Sequence, residues 1–282
     1  MDQIRLKANG KINIGLDVTG KRPDGYHLVK MILQTVDLYD DVLVRKIPEG
    51  IQVKTNKPFI PCDERNLAYK AAKAVMEYCG IKEGVRIDIG KRIPVAAGMA
   101  GGSTDAAAVL KAMDKMFELG LSAEVMDTLA VKLGADVPFC LRRGTYLAEG
   151  IGEELTKLPD MPHCFCLLVN PGFGVSTKQA YDRIDEIEDL KHPDIERIIS
   201  GLGRKDKWEV ADAMGNVLEQ AVIPEHPEIG KIKEKMKSLG AIGTMMSGSG
   251  PTVFGLFETE EQQDKAFQAF EGEGYGKFKI KF

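Results

Sequence analysis

No apolar run in this 282-residue sequence approaches the roughly 20 residues of a membrane-spanning helix. The opening Met1-Asp2-Gln3-Ile4-Arg5 carries neither a signal-peptide apolar core nor an Arg/Ser-rich transit character, so a cytoplasmic protein is expected. No basic block exists. The 38 Lys and Arg stand against 42 Asp and Glu, for a net charge of −4, which argues against electrostatically driven nucleic-acid binding. The five cysteines, at 62, 79, 140, 164 and 166, form no CxxC pair and read as reduced, buried thiols. The four histidines, at 27, 163, 192 and 226, share no metal-ligand spacing, so no His-based metal site is expected. The common nucleotide motifs are missing too. Gly10 to Gly15 has Walker A glycine spacing, but Leu16-Asp17 follow where the phosphate-binding Lys and the Mg²⁺ hydroxyl belong. No G-x-G-x-x-G follows Gly172, Gly201 or Gly248, and there is no internal repeat.

What is present is organised around Pro94-Val95-Ala96-Ala97-Gly98-Met99-Ala100-Gly101-Gly102-Ser103-Thr104-Asp105-Ala106-Ala107-Ala108. Small residues let backbone N–H groups approach a ligand closely. The stretch runs into a helical pattern through Phe117, and a helix N-terminus at Ser103 would add free donors and the positive end of a dipole. That combination binds anions, phosphate above all. A capped tight turn would not need three glycines in five residues.

The remaining elements follow from periodicity and punctuation. Ile12, Ile14, Leu16 and Val18 alternate with Lys11, Asn13 and Asp17, which predicts a strand with two unlike faces. Arg22-Pro23-Asp24-Gly25 is a turn, and Tyr26–Leu38 returns as a second strand. Val42–Ile47, Ile51–Thr55 and Val85–Ile93 continue the sheet. Asn66 opens a helix that stops at Gly80, and Ser122 caps Ala123–Leu133 before Gly134. Thr145–Ala148, Phe165–Val169, Ile242–Met246, Thr252–Phe257 and Lys277–Phe282 read as strands. Helices begin at Lys178 and Ile229, and a capping box of Thr259 with Gln262 opens one that runs to Phe270. The pattern is α+β. The length suits two domains of ~150 residues each, and the prolines at 159 and 162 place the boundary after residue 158, giving 1–158 and 159–282.

Three further segments carry polar residues that folding does not require. They are Lys11 and Asn13, facing Asp24-Gly25-Tyr26-His27 across the hairpin; Asp136 within Gly134-Ala135-Asp136-Val137-Pro138-Phe139; and Ser247-Gly248-Ser249-Gly250. Each has a plain explanation as well: a solvated strand face, a capping Asp, an ordinary loop. Taken together they resemble the GHMP kinase superfamily. Lys7-Ala8-Asn9-Gly10-Lys11-Ile12-Asn13 is similar to its first motif, Pro94–Ala107 to its second, and Ser247–Phe254 to its third. The strings DGYH and GADVPF narrow the match to the branch acting on a cytidylated methylerythritol.

The resemblance implies a two-domain GHMP kinase fold. Its N-terminal half would be like the second domain of ribosomal protein S5 and its C-terminal half ferredoxin-like, with the active site in the cleft between them. It implies transfer of the γ-phosphate of ATP, with Mg²⁺, to the tertiary 2-hydroxyl of 4-diphosphocytidyl-2-C-methyl-D-erythritol on the non-mevalonate isoprenoid route. It assigns Asp136 as base and Lys11 as its partner. Asn66, Pro94, Ala96, Ala97, Gly98, Met99, Ala100, Gly101, Gly102, Ser103 and Thr104 would bind the nucleotide. Asn13, Tyr26, His27, Tyr181 and Gly248 would bind the substrate, with Phe173 the alternative to Tyr181 for stacking on cytosine. No protein metal ligand is implied, and a monomer or weak homodimer is expected. Ala100 stands where the family often has glycine, which is tolerable at negative φ. The alternatives are a GHMP kinase of another small alcohol, of the mevalonate or homoserine type, and a non-catalytic nucleotide-binding relative. DGYH argues against the first, and the presence of both Lys11 and Asp136 against the second.

Overall fold

A computed structural model describes residues 1–282. The chain forms two compact units. The first comprises Met1–Gly10, Leu38–Ile93 and Ala100–Arg143; the second comprises Lys11–Asp37, Pro94–Met99 and Gly144–Phe282. Strands β1 (Gln3–Lys21) and β2 (His27–Ile47) pair with each other, and each contributes one stretch to each unit. The second strand runs unbroken through Tyr39–Asp41, where the sequence suggested two strands. Val36, Leu38, Asp40 and Val42 keep the period-2 burial across that point.

In the first unit, β3 (Ile51–Thr55) lies parallel to β4 (Gly84–Gly90), and β4 lies antiparallel to Asp41–Ile47 of β2. Val42, Val44, Val85, Ile87 and Ile89 form the buried side. Helix α1 (Leu67–Cys79) buries Ala68, Ala71, Ala72 and Val75 at helical spacing, a face small enough for close approach to α2 (Gly101–Met116). Its limits are local: the Asn66 side chain accepts from Ala68 N–H, and Gly80 closes the helix at φ 68°. Helix α2 buries Thr104 through Leu110 without interruption, so it is the central helix of this unit. Helices α3 (Ala123–Leu133) and α4 (Val137–Arg142) pack beside it.

In the second unit, Met31–Gln34 of β2 pairs with β5 (Thr145–Glu149), and β5 with β6 (Glu154–Lys157). A four-stranded antiparallel sheet is built from β7 (Phe165–Asn170), β8 (Gly243–Met246), β9 (Val253–Phe257) and β10 (Gly276–Lys281), in the order β10-β7-β9-β8. Between β7 and β8 run α5 (Thr177–Ile184), α6 (Ile195–Arg204), α7 (Lys207–Ala213), α8 (Glu219–Val222) and α9 (Pro227–Ser238). Helix α10 (Glu260–Ala269) begins with the capping box of Thr259 and Gln262. Phe254 and Phe257 on β9 are fully buried, each contributing about 1.5–3 kcal/mol of burial. No helix is long and apolar enough to cross a membrane.

Candidate active site

Strand β1 carries Lys11 and Asn13 into the second unit, where they are 5% and 0% exposed. A solvated strand face is therefore excluded, because both faces of the strand are covered there. The Lys11 ammonium donates to Asn13 Oδ1 at 2.7 Å and to the Gly98 carbonyl at 2.9 Å. Both acceptors are neutral, so the charge is buried without a carboxylate among its hydrogen-bond partners, and two of its three donors are committed. Asn13 is held in turn by a donation to Met31 Sδ at 3.4 Å.

The glycine-rich loop meets the Ser247–Gly250 loop beside that ammonium. Gly98 has φ 73°, and a Cβ on it would stand 1.9 Å from the Ser247 carbonyl oxygen. Ser247 Oγ donates to the Gly98 carbonyl at 2.9 Å. A Cβ on Gly248, at φ 56°, would lie 3.1 Å from the Gly98 oxygen and 3.3 Å from Lys11 Nζ. These two glycines are required by approach as well as by conformation. Asn216 braces the second loop, donating to the carbonyls of Met246 and Gly248 at 2.8 Å each. Sequence reading missed it, because an Asn among polar helical residues gives no signal. Within the first loop, Ala97 and Met99 are buried, while Pro94 is partly covered and Ala96 has φ 52°.

Ala100 corrects an expectation: its φ is 56°, left-handed, where the sequence reading asked for a negative value. The reason is that α2 starts at Gly101, two residues before Ser103, so the chain must reverse at Ala100 to enter it. The N–H groups of Gly101, Gly102 and Ser103 precede the first helical bond, Thr104 N–H to the Ala100 carbonyl at 2.9 Å. Thr104 Oγ1 donates to the Asn9 carbonyl at 2.6 Å, which commits the hydroxyl to the first strand.

The first turn of α2 is also anchored by a buried charge cluster that sequence reading did not find. Lys91 Nζ donates to Asp40 Oδ2 at 2.5 Å, to Asp105 Oδ2 at 2.7 Å and to the Gly101 carbonyl at 3.2 Å. Burial pushes the Asp105 carboxyl up to about 7, against the pull of Lys91. The three charged residues lie far apart in sequence and share no motif spacing.

Asn66, also in the first unit, caps α1 and donates to the Pro61 carbonyl at 2.7 Å, leaving one amide hydrogen uncommitted by these bonds. Asp136 occupies the N-cap position of α4, but its side chain makes no capping bond. The capping explanation for this carboxylate is thereby removed.

In the second unit, the hairpin turn places Tyr26 60% exposed and His27 largely buried. The His27 and Tyr181 rings lie 5.1 Å apart at 34°. His27 Nε2 meets Asp185 Oδ1 at 2.8 Å, and Lys21 Nζ donates to Asp185 Oδ2 at 2.5 Å. Phe173 stacks instead on His226, with centroids 5.0 Å apart. The second unit therefore brings together Lys11, Asn13, Gly98 and Gly248 in one group and His27 with Tyr181 in another. Ala100–Thr104, Asn66 and Asp136 belong to the first unit.

Comparison with known proteins adds an independent view. The family pattern of the GHMP kinases N terminal domain matches residues 66–144, and that of the GHMP kinases C terminal matches residues 191–276. The chain is 52% identical over 262 residues to the 4-diphosphocytidyl-2-C-methyl-D-erythritol kinase of Lachnospira eligens, spanning 93% of this chain and 91% of that one. It is 52% identical over 266 residues to the enzyme of the same name from Clostridium botulinum, spanning 94% and 95%. A crystal structure of 4-(cytidine 5'-diphospho)-2C-methyl-D-erythritol kinase superposes with a TM-score of 0.84 at 32% identity, covering 99% of this chain and 98% of that chain.

Proposed function

The chain belongs to the 4-diphosphocytidyl-2-C-methyl-D-erythritol kinase family of the GHMP kinases, and we propose that Lys11, Asp136 and the glycine-rich loop divide the work of its reaction. That reaction is the ATP-dependent phosphorylation of the 2-hydroxyl of 4-diphosphocytidyl-2-C-methyl-D-erythritol, giving the 2-phosphate and ADP. The acceptor is a tertiary alcohol, a crowded nucleophile that needs a base and close positioning. Asp136 takes the hydroxyl proton as the oxygen attacks the γ-phosphorus. The bond from that phosphorus to the β–γ bridging oxygen breaks, and its electron pair leaves with ADP. Lys11 stabilises the negative charge on the attacking oxygen, for which its buried ammonium keeps a donor. The N–H groups of Gly101, Gly102 and Ser103 supply donors for the phosphates at the start of α2. Asn66 and residues 94–104 accompany the nucleotide; Asn13, Tyr26, His27, Tyr181 and Gly248 accompany the substrate. On this reading residues 1–158 carry the nucleotide loop and both catalytic residues, and 159–282 carry the Ser247–Gly250 loop.

No group of three or more His, Cys, Asp or Glu side chains could hold a metal ion. A Mg²⁺ would arrive with the triphosphate, and the hydroxyl of Ser103, in the first turn of α2, would be the loop's own donor to it. Bound there, Mg²⁺ would neutralise phosphate charge. The observation that best supports the account is the Lys11 ammonium, buried against neutral acceptors at the meeting of two glycine loops. Asp136→Asn tests it: kcat should fall by ~10² or more while ATP binding persists. Near-normal turnover would remove Asp136 as the base.

A further inference from the structure

We propose that Asn216 is a positioning residue for the reaction: it ties the strand that carries Lys11 to the Ser247–Gly250 loop and so fixes what stands against the Lys11 ammonium. The proposal rests on the reading above that Lys11 acts on the attacking oxygen. Asn216 lies between α7 and α8, and both of its chain neighbours are bonded to β1. Leu16 N–H donates to the Gly215 carbonyl at 2.9 Å, and Val217 N–H donates to the Leu16 carbonyl at 2.9 Å. These bonds make a parallel bridge between Asn216 and Leu16, on the same strand as Lys11.

The Asn216 side chain reaches the loop. Its Nδ2 donates to the Met246 and Gly248 carbonyls at 2.8 Å each, and its Oδ1 accepts from Leu218 N–H at 3.0 Å. Turning the amide over would set its oxygen against two carbonyl oxygens and its NH₂ against an N–H, so a single orientation is fixed. Ser247 stands between the two carbonyls so held. Its Oγ and Lys11 Nζ both donate to the Gly98 carbonyl, each at 2.9 Å. Gly248 lies against the ammonium itself, since a Cβ there would be 3.3 Å from Lys11 Nζ. Its carbonyl is committed to Asn216, and the ammonium is bonded to Asn13 and Gly98. A displacement of this loop by about 1 Å would move the surroundings of the reacting cation, an error that can cost about 10²-fold in rate.

Glu219 supplies the contrast. Its Oε1 accepts from Met246 N–H at 2.7 Å and its Oε2 from Lys233, so it braces the end of β8 with no bond to Gly248 or to β1. Bracing the loop and positioning Lys11 can therefore be told apart.

The test is a double-mutant cycle on kcat with Asn216→Ala, Lys11→Ala and the pair, and with Glu219→Ala beside them. Asn216→Ala should lower kcat by about tenfold or more with KM for both substrates within about threefold. Where Lys11 is already alanine, the same change should alter kcat by less than about twofold. Glu219→Ala should lower Tm and leave kcat within about twofold of wild type. Additive losses in the pair overturn the proposal. So does a normal kcat in Asn216→Ala, or an equal loss of kcat in Asn216→Ala and Glu219→Ala, as a merely loosened loop would give. Normal turnover in Lys11→Ala instead removes the role read for Lys11, and the proposal with it. Should alanine at 216 prevent folding, Asn216→Ser takes its place, because its hydroxyl can still accept from Leu218 N–H. If neither variant folds, Asn216 serves the fold and the proposal fails.

Discussion

Gly98→Ala should separate the two glycine loops, and the contacts its methyl would make set the size of the effect. The new Cβ would lie 1.9 Å from the Ser247 oxygen, 2.9 Å from its carbonyl carbon and 3.1 Å from Gly250 N. All three are backbone atoms, so no side chain can swing aside. The gap must open by at least about 1 Å to reach even a tight van der Waals distance. That movement carries the Gly98 carbonyl away from Lys11 Nζ and Ser247 Oγ, now each at 2.9 Å. The left-handed backbone at φ 73° adds its own cost for alanine. The left-handed term and the two weakened hydrogen bonds together amount to roughly 3–6 kcal/mol. Thermal unfolding should show a Tm lower by roughly 10 °C. The displaced ammonium should lower kcat by ~10² in a coupled ADP-release assay on the folded fraction. Gly102→Ala is the internal control. Its Cβ would make an ordinary 3.5 Å contact with Leu67 Cδ1 within α2's first turn. Stability should rise by about 0.4–1 kcal/mol, and any penalty should appear in KM for ATP. A Gly98→Ala protein that melts with wild type and turns over normally would refute the reasoning.

Three other outcomes follow from separate parts of the molecule. Ala100→Gly removes the methyl from a residue at φ 56°, and should raise Tm by a few degrees while leaving KM for ATP nearly unchanged; a lower Tm would contradict the left-handed assignment. Asp105, pushed up to about 7 by burial, binds its proton more tightly folded than unfolded, so its contribution to stability is full at low pH and lost as pH rises through 7. Denaturant titrations should therefore show stability falling from pH 5 to pH 8 in wild type and a flatter profile in Asp105→Asn; equal slopes would exclude Asp105 as the source. His27→Ala should raise KM for the cytidylated substrate more than KM for ATP, and equal increases would exclude His27 from the cytidine end.

Local grammar was readable wherever one residue type decides the outcome. Asn66, Ser122 and Thr259 cap the helices expected of them, and Gly80 ends α1 in the left-handed region. Alternation along β1 gave its two faces but not what covers the polar one. Lys11 is buried where the loops of residues 94–99 and 247–250 meet it, and Asn13 lies between Lys11 and Met31; such long-range coverage leaves no periodic trace. Ala100 was misread for a related reason: its conformation is imposed by where α2 begins, not by alanine's own preference. Asp40, Lys91 and Asp105 make one cluster from three distant segments, and Asp185 reaches His27 across 158 positions. The family motifs pointed to the glycine loops. They were silent on Asn216 and Asp185, whose side chains act on other protein groups.

The most direct measurement is ADP release by the purified chain with ATP and Mg²⁺, offered 4-diphosphocytidyl-2-C-methyl-D-erythritol, mevalonate and homoserine in parallel. Release with the cytidylated alcohol alone, together with a new phosphate on its 2-oxygen, is the predicted result. Turnover of mevalonate or homoserine in its place, or no turnover of the cytidylated alcohol, would contradict it.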